Sequence, residues 1–422
     1  MDDTRNLGQV LVVDEYGNRH LLREEVSRGG QGVVYRTADT DLAVKLWTKR
    51  GGEVLESAEN VRELFENVRV LPLPERLPIS LPHAVLRDAP GYVMTLLSEM
   101  DTFWKMIPRG DSFLEQFKEY AATGSTSRRL FALAQCSAIL ARLHAAGLVY
   151  CDVSPNNVFV SRDELAQVWL IDCDNLRFET SSRWGIGTPS FMAPELKASG
   201  VRPRTDSWSF AVMAFQVLCM LHPFSRQISD RGWDSDDAST SEDREIQAPN
   251  GDVPYVDDET DGSNRAVDID GRRVGLPRDL VLTPELRRLF QETLGVGRLH
   301  PWRRPSLSYW AVELMRAHDL SIPCSNPGCL MSYFVEETRC PWCDAAKPIY
   351  VMAESRYWKM VFQVSDQPVR IPHRLVAPFS LRVAEPSSYK VEVDKLRSRV
   401  VAARGSDPLP NDVKFQFVGL GT

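Results

Sequence analysis

Leu143-His144-Ala145-Ala146-Gly147-Leu148-Val149-Tyr150-Cys151-Asp152-Val153-Ser154-Pro155-Asn156-Asn157-Val158-Phe159-Val160 is the stretch whose reading decides the fold. An apolar helix end runs into a turn at Gly147, and a short strand follows. Asp152 and Asn157 then stand five residues apart before a second strand. That spacing lets a loop turn both side chains toward one phosphate. An Asp/Asn pair in a turn is also common as plain loop capping. The pair therefore gains meaning only if companion motifs occur in order.

They do. Downstream, Val168-Trp169-Leu170-Ile171 reads as a buried strand that ends at Asp172-Cys173-Asp174, and Gly187-Thr188-Pro189-Ser190-Phe191-Met192-Ala193-Pro194-Glu195 follows. Upstream, Leu42-Ala43-Val44-Lys45-Leu46-Trp47 sets a lysine in an apolar strand. Such a lysine either snorkels outward or meets an anion. Before it, Ser27-Arg28-Gly29-Gly30-Gln31-Gly32-Val33-Val34 is glycine-rich. Glycine there lets a backbone approach phosphate oxygens, although a plain hairpin turn uses the same residues. The five motifs, in this order, resemble those of the eukaryotic-like Ser/Thr protein kinases over roughly residues 20 to 318: glycine loop, strand lysine, H-R-D-x-x-x-x-N, Asp-Phe-Gly and Ala-Pro-Glu.

The resemblance implies ATP and magnesium as cofactors and a protein hydroxyl as acceptor. It makes Asp152 the base that takes the hydroxyl proton and gives magnesium to Asn157 and Asp172. It gives the nucleotide phosphates to Lys45 and to the loop carrying Gly29, Gly30, Gly32 and Val34. Lys45 would also pair with a glutamate of the helical segment Glu53 to Val68. Glu59 and Glu63 share one face there, and Glu59 is the first candidate. Backbone groups near Thr95 and Leu96 would read the adenine edge. Asp206 would hold the catalytic loop backbone, and Arg304 would pair with Glu195.

The sequence also departs from the family. Ser27 replaces the first loop glycine. Ser154 stands where a lysine usually stabilises the transferring phosphate. Cys173 and Asp174 replace Phe and Gly, and Cys151 replaces the arginine that meets an activation-loop phosphate.

Composition sets outer bounds. The hydrophobic share of 43% and charged share of 25% are those of a soluble globular chain, and the net charge of -7 argues against a general nucleic-acid binder. The longest apolar run, Phe210 to Leu221, is shorter than the ~20 residues a bilayer span needs. No secretory leader opens the sequence. A cytoplasmic protein with reduced thiols, and no membrane partner, is the expectation.

Four of the eight cysteines cluster as Cys324, Cys329, Cys340 and Cys343. Two thiolate-bearing turns at this spacing read as a structural zinc site, with two disulfides as the alternative. Asp- and Ser-rich residues at about 225–275 read as an exposed acidic insertion. From Ile349 onward valine-rich and aromatic runs alternate with prolines and glycines, which predicts strands.

The expected fold class is α+β: a bilobal protein-kinase fold followed by a small zinc-ribbon-like module and a small all-β C-terminal domain. The expected boundaries are 1–97 for the N-lobe and 98–320 for the C-lobe, then 321–347 for the zinc module and 348–422 for the β-rich domain. The insertion, zinc module and tail further resemble those of bacterial kinases encoded beside a metal-dependent phosphatase and a von Willebrand A-type protein in tellurite-resistance-like gene sets. That resemblance implies such proteins as partners. The function expected is transfer of the ATP γ-phosphoryl group to Ser/Thr hydroxyls of a partner protein. The alternative is a pseudokinase or docking scaffold that binds nucleotide and recruits partners through its zinc and β modules.

Overall fold

Valine, leucine and alanine side chains build the core of the first sheet. Its strands are β1 (Leu11–Val13), β2 (Arg19–Arg28), β3 (Gly32–Thr37), β4 (Leu42–Trp47), β5 (Pro82–Val85) and β6 (Gly91–Thr95). They pair antiparallel in the order β1-β2-β3-β4-β6-β5. A further antiparallel bridge, Asp14 to Leu86, joins the end of β1 to the end of β5. The two edges of the sheet therefore meet. Val12, Leu22, Val44, Ala84, Leu86 and Val93 pack as its core. Asp14 is buried in the β1–β2 turn and accepts from the N–H groups of Tyr16 and Asn18 and from the Asn18 amide.

The computed structural model describes residues 10–28, 32–47, 58–110, 112–163, 166–179, 187–225, 251–267, 274–348, 350–363, 369–372, 374–375, 380–383, 388–394, 399–404 and 415–417. Its contacts divide the chain into two compact units, Met1–Trp104 with Ala138–Phe210 and Lys105–Ser137 with Ala211–Thr422.

The first unit holds the sheet, the helix Ala58–Arg69 and the loops around Asp152. Phe65 of that helix is buried against Tyr92 and Val85. The helix Ser125–Ala145 buries Leu130, Leu133, Leu140 and Leu143 at helical spacing. It stops at Gly147, whose φ of 75° is open to glycine at little strain. The chain then re-emerges as the strand Leu148–Val149, paired with Arg177–Phe178. Val158–Ser161 and Val168–Leu170 form the antiparallel pair that lies between Asp152 and Asp172 in sequence.

In the second unit, Phe113–Ala122 begins at Ser112, whose hydroxyl accepts from the Glu115 N–H at 3.3 Å. The helix Leu307–Asp319 leads into the hairpin Ser321–Pro323 and Ser332–Phe334, whose connection carries Cys324 and Cys329, and Cys340 and Cys343 follow its second strand. Beyond it, Tyr350–Glu354, Lys359–Gln363, Ser380–Val383, Ser388–Asp394 and Arg399–Arg404 form a five-stranded sheet. Val369–Ile371 pairs in parallel with Phe415–Phe417.

Part of the acidic insertion is packed and not exposed. Residues 226–250 and 268–273 lie outside the described residues, but 251–267 is not a solvated run. Tyr255 and Val256 are buried, and the Tyr255 ring meets Phe215 edge-on with centroids 5.2 Å apart. Asp257 pairs with the buried Arg278 at 2.7 Å. Asp258 is itself buried, and one of its oxygens accepts from the Thr260 N–H, the Thr260 hydroxyl and the Asp261 N–H. Local capping and one ion pair absorb charges that composition alone assigns to water. No helix among the described residues is long and apolar enough to cross a membrane.

Candidate active site

Lys45 stands in mid-β4, facing Val34 of β3 and Tyr92 of β6 in register. It is only 7% exposed, with the rings of Tyr92 and Trp47 at 5.8 and 6.0 Å from Nζ. Its Nζ forms an ion pair with Asp172 Oδ1. The lysine thus meets an anion instead of snorkelling. Gly32 opens β3, and a Cβ there would lie 2.3 Å from the Leu46 carbonyl oxygen, so no larger residue fits without moving backbone. Gly29 and Gly30 lie outside the described residues. So does the side chain of Glu59; Glu63 is described, on the exposed side of its helix.

Asp172 follows Val168–Leu170 in a left-handed conformation, φ 57° and ψ 50°. The Ile171 N–H donates to the Asn157 carbonyl at 3.0 Å, which brings Asn157 and Asp172 onto neighbouring backbone. Tyr150, wholly buried, reaches the same place: its hydroxyl donates to the Ile171 carbonyl. Tyr150 fills the histidine position of H-R-D, a substitution the sequence reading passed over.

Asp152 is gripped from two sides. The Asn157 amide donates to its Oδ2 at 2.8 Å and to its carbonyl at 3.0 Å. Thr188 donates its backbone N–H and its hydroxyl to Oδ1, at 2.8 and 2.9 Å. Burial pushes the Asp152 carboxyl above its ordinary range, and the bonds from Thr188 and Asn157 pull it partly back. A carboxylate displaced upward is the better proton acceptor.

The loop itself hangs on Asp206, which is 1% exposed. Its carboxylate accepts from the Tyr150 N–H at 2.8 Å and the Cys151 N–H at 2.9 Å, and it is hydrogen-bonded to His144 Nε2 at 2.9 Å. Those bonds hold Cys151 at φ 76°, a conformation uncommon for a side-chain-bearing residue. Burial raises the Cys151 thiol strongly, so it is an inert thiol and no nucleophile. Ser154 is fully buried, and its hydroxyl has no hydrogen-bond partner among the described residues. Arg304 is also fully buried and donates through Nε to the Gly297 carbonyl at 2.9 Å.

Thr95 ends β6, and its hydroxyl is hydrogen-bonded to His83 Nε2 at 2.7 Å. The Leu96 N–H already donates to the Asp41 carbonyl at 2.8 Å. Leu96 can therefore offer a nucleotide its carbonyl but not its N–H. Trp104 was not expected near the loop: its indole N–H donates to Asn156 Oδ1 at 2.6 Å, and its ring meets Phe191 edge-on. A lone tryptophan outside any motif gives no sequence signal of such a role.

In the second unit, the four cysteine sulfurs lie within 4.8 Å of one another. Cys324 and Cys343 are 3.5 Å apart, and Cys329 and Cys340 are 3.9 Å apart. Both separations exceed an S–S bond and bracket the ~3.8 Å edge of a tetrahedron with 2.3 Å metal–sulfur bonds.

A strand lysine on a post-strand aspartate, beside an Asp/Asn loop closed by a threonine, is the arrangement the protein-kinase motifs lead one to expect. The protein kinase domain family matches residues 24–267, more than half of the chain, and the chain belongs to that family, whose bilobal fold it has. It is 28% identical over 216 residues to calcium-dependent protein kinase 13 of Arabidopsis thaliana, covering 49% of this chain and 38% of that protein. It is likewise 28% identical over 216 residues to calcium-dependent protein kinase 3 of Oryza sativa subsp. japonica, covering 49% and 37%. The chain spans well under half the length of these curated relatives. Among solved structures it is similar to the ROP18 kinase domain in complex with AMP-PNP and sucrose, with a TM-score of 0.48, 16% identity, and coverage of 72% of this chain and 81% of that one.

Proposed function

We propose that this protein is an ATP-dependent Ser/Thr kinase that transfers the γ-phosphoryl group to a partner protein. The observation that carries the reading is the double grip on Asp152, which leaves a half-buried, upward-shifted carboxylate beside Asn157 and near the Lys45–Asp172 pair. Asp152 orients the acceptor hydroxyl and takes its proton as the oxygen attacks phosphorus. Lys45 and the backbone of the glycine loop neutralise and hold the nucleotide phosphates. Val34 and Leu96 face the nucleotide base, the latter through its carbonyl.

Asn157 and Asp172 fit magnesium by their chemistry. The Asn157 amide nitrogen is used on Asp152, which leaves its carbonyl oxygen, and Asp172 supplies a carboxylate. Oxygen donors of this kind are what magnesium takes. Bound there, magnesium would neutralise phosphate charge as the transfer proceeds. Thr188-Pro189 resembles the segment of Ser/Thr kinases more than that of tyrosine kinases.

Cys324, Cys329, Cys340 and Cys343 fit zinc by their sulfur spacing, and four thiolates leave no position for a reactive water. The zinc site is read as structural, with the hairpin and the strands after it as accessory modules. The gene-set resemblance makes a von Willebrand A-type protein the first acceptor to try and a phosphatase its counterpart.

The test is incubation with magnesium and radiolabelled ATP, using a generic basic protein and then a von Willebrand A-type protein as acceptors. Label that disappears in both Asp152→Ala and Asp172→Ala supports the reading. Magnesium-dependent ATP binding with no transfer to any acceptor would favour a pseudokinase.

A further inference from the structure

The turn after β1 does more than close a hairpin. Glu15 sits in it, and its N–H donates to the Val85 carbonyl at 2.8 Å. Its carboxylate accepts the Val85 N–H at 2.9 Å. The same carboxylate takes two guanidinium nitrogens of Arg69, one of them at 3.1 Å. Arg87 completes the joint, donating its N–H to the Val13 carbonyl at 2.8 Å and its guanidinium to the Glu15 carbonyl at 2.7 Å. Arg69 is the last residue of the helix Ala58–Arg69. Arg62 lies two helical turns earlier on the same face and adds its charge at Glu15. One carboxylate therefore ties β5 and the end of the helix to the hairpin turn.

That helix reaches the catalytic groups by two routes. Phe65 meets the Tyr92 ring edge-on, with centroids 4.3 Å apart, and Tyr92 lies opposite Lys45 in register with its ring near Nζ. The helix also packs on the turn Cys173–Asn175, which follows Asp172 directly. A shift of the helix end would be felt at both members of the Lys45–Asp172 pair.

We propose that Glu15 is a positioning residue for Lys45, acting through Arg69 and the helix, an inference that rests on the kinase reading above. Glu15 touches neither nucleotide nor acceptor. Its partner is on the surface, and surface ion pairs add little to global stability. Its effect should therefore appear in the placement of Lys45 and not in the melting temperature.

The experiment uses the full chain with Glu15→Gln, Arg69→Lys and the exchanged pair Glu15→Arg with Arg69→Glu. An acyl-phosphate analogue of ATP transfers its acyl group to a lysine amine poised at the phosphates. Mass spectrometry of the Lys45 peptide then gives the rate of that transfer without reference to kinase activity. Transfer to the acceptor, split into kcat and KM for ATP, and Tm are measured alongside. Glu15→Gln is expected to slow Lys45 acylation and to lower kcat by about fivefold each, with Tm and KM near wild type. Arg69→Lys should keep most of the rate, and the exchanged pair should recover part of it. Acylation at the wild-type rate in Glu15→Gln would overturn the proposal. So would a loss that tracks a fall in Tm and is not recovered by the exchange. A wild-type protein that transfers no phosphoryl group, yet shows the acylation defect in Glu15→Gln, would remove the kinase reading and leave the positioning role of Glu15 standing.

Discussion

Thr188 donates twice to a single oxygen of Asp152, through its backbone N–H at 2.8 Å and its hydroxyl at 2.9 Å. The consequence is a pH dependence of defined sign. A base must be ionised to accept a proton, so transfer falls as pH drops through the Asp152 pKa, which burial sets above the ordinary carboxylate value. The hydroxyl bond works against that shift. Thr188→Ala should therefore move the acid limb of the rate profile to higher pH and slow transfer about tenfold, the worth of one hydrogen bond to a charged group. Thr188→Ser should stay near wild type. A profile measured from pH 4 to 8 decides it, and a limb that stays put or moves to lower pH refutes the role.

Asp206 satisfies two backbone donors of the catalytic loop from a wholly buried position. Asp206→Ala would strand both, at about 1–3 kcal/mol each. The urea midpoint should fall by a corresponding amount, and transfer should vanish as Cys151 loses its left-handed conformation. Asp206→Asn keeps one acceptor and should fall between. Unchanged stability in the alanine variant would show that the loop holds itself.

Gly32 faces the Leu46 carbonyl with no room for a methyl group. Gly32→Ala must push β3 away from β4 and should destabilise the fold by about 1–3 kcal/mol. Because Lys45 lies next to Leu46, the variant should also lose most of the thermal shift produced by magnesium and ATP. A nucleotide shift equal to that of wild type would separate the glycine from nucleotide binding.

Purified protein should carry one zinc per chain by elemental analysis. A strong chelator should lower Tm by several degrees, and Cys340→Ser should reproduce the apo behaviour, since metal binding energy at such sites is folding energy. Full stability without metal would leave the four sulfurs as ordinary thiols.

Motif order made the kinase fold legible in the sequence and marked Lys45, Asp152, Asn157 and Asp172 as candidates, because each motif carries a residue type that phosphate chemistry requires. What stayed hidden was contact between distant residues of ordinary type. Trp104 meets Asn156 across 52 positions, and Glu15 meets Arg69 across 54, with no pattern to announce either. Asp257 and Asp258 looked solvated because composition cannot distinguish a charge facing water from one that caps a turn or pairs with Arg278. Tyr150 gives no signal of its own, because a tyrosine after Leu148 and Val149 reads as ordinary core.

The cysteine segment is fastened back onto the helix Ser125–Ala145. Ser332 donates its N–H to Ser125 Oγ and accepts the Ser127 N–H on its own hydroxyl, both at 2.9 Å. The Phe117 ring lies against Trp342. The family match ends at residue 267, but these bonds bind residues 321–343 to the first turn of Ser125–Ala145. A protein trimmed at 320 would open buried hydroxyls and an aromatic face to water. The hairpin is therefore not an exchangeable cassette, and recombination that swapped it between relatives would have to carry the helix start along with it.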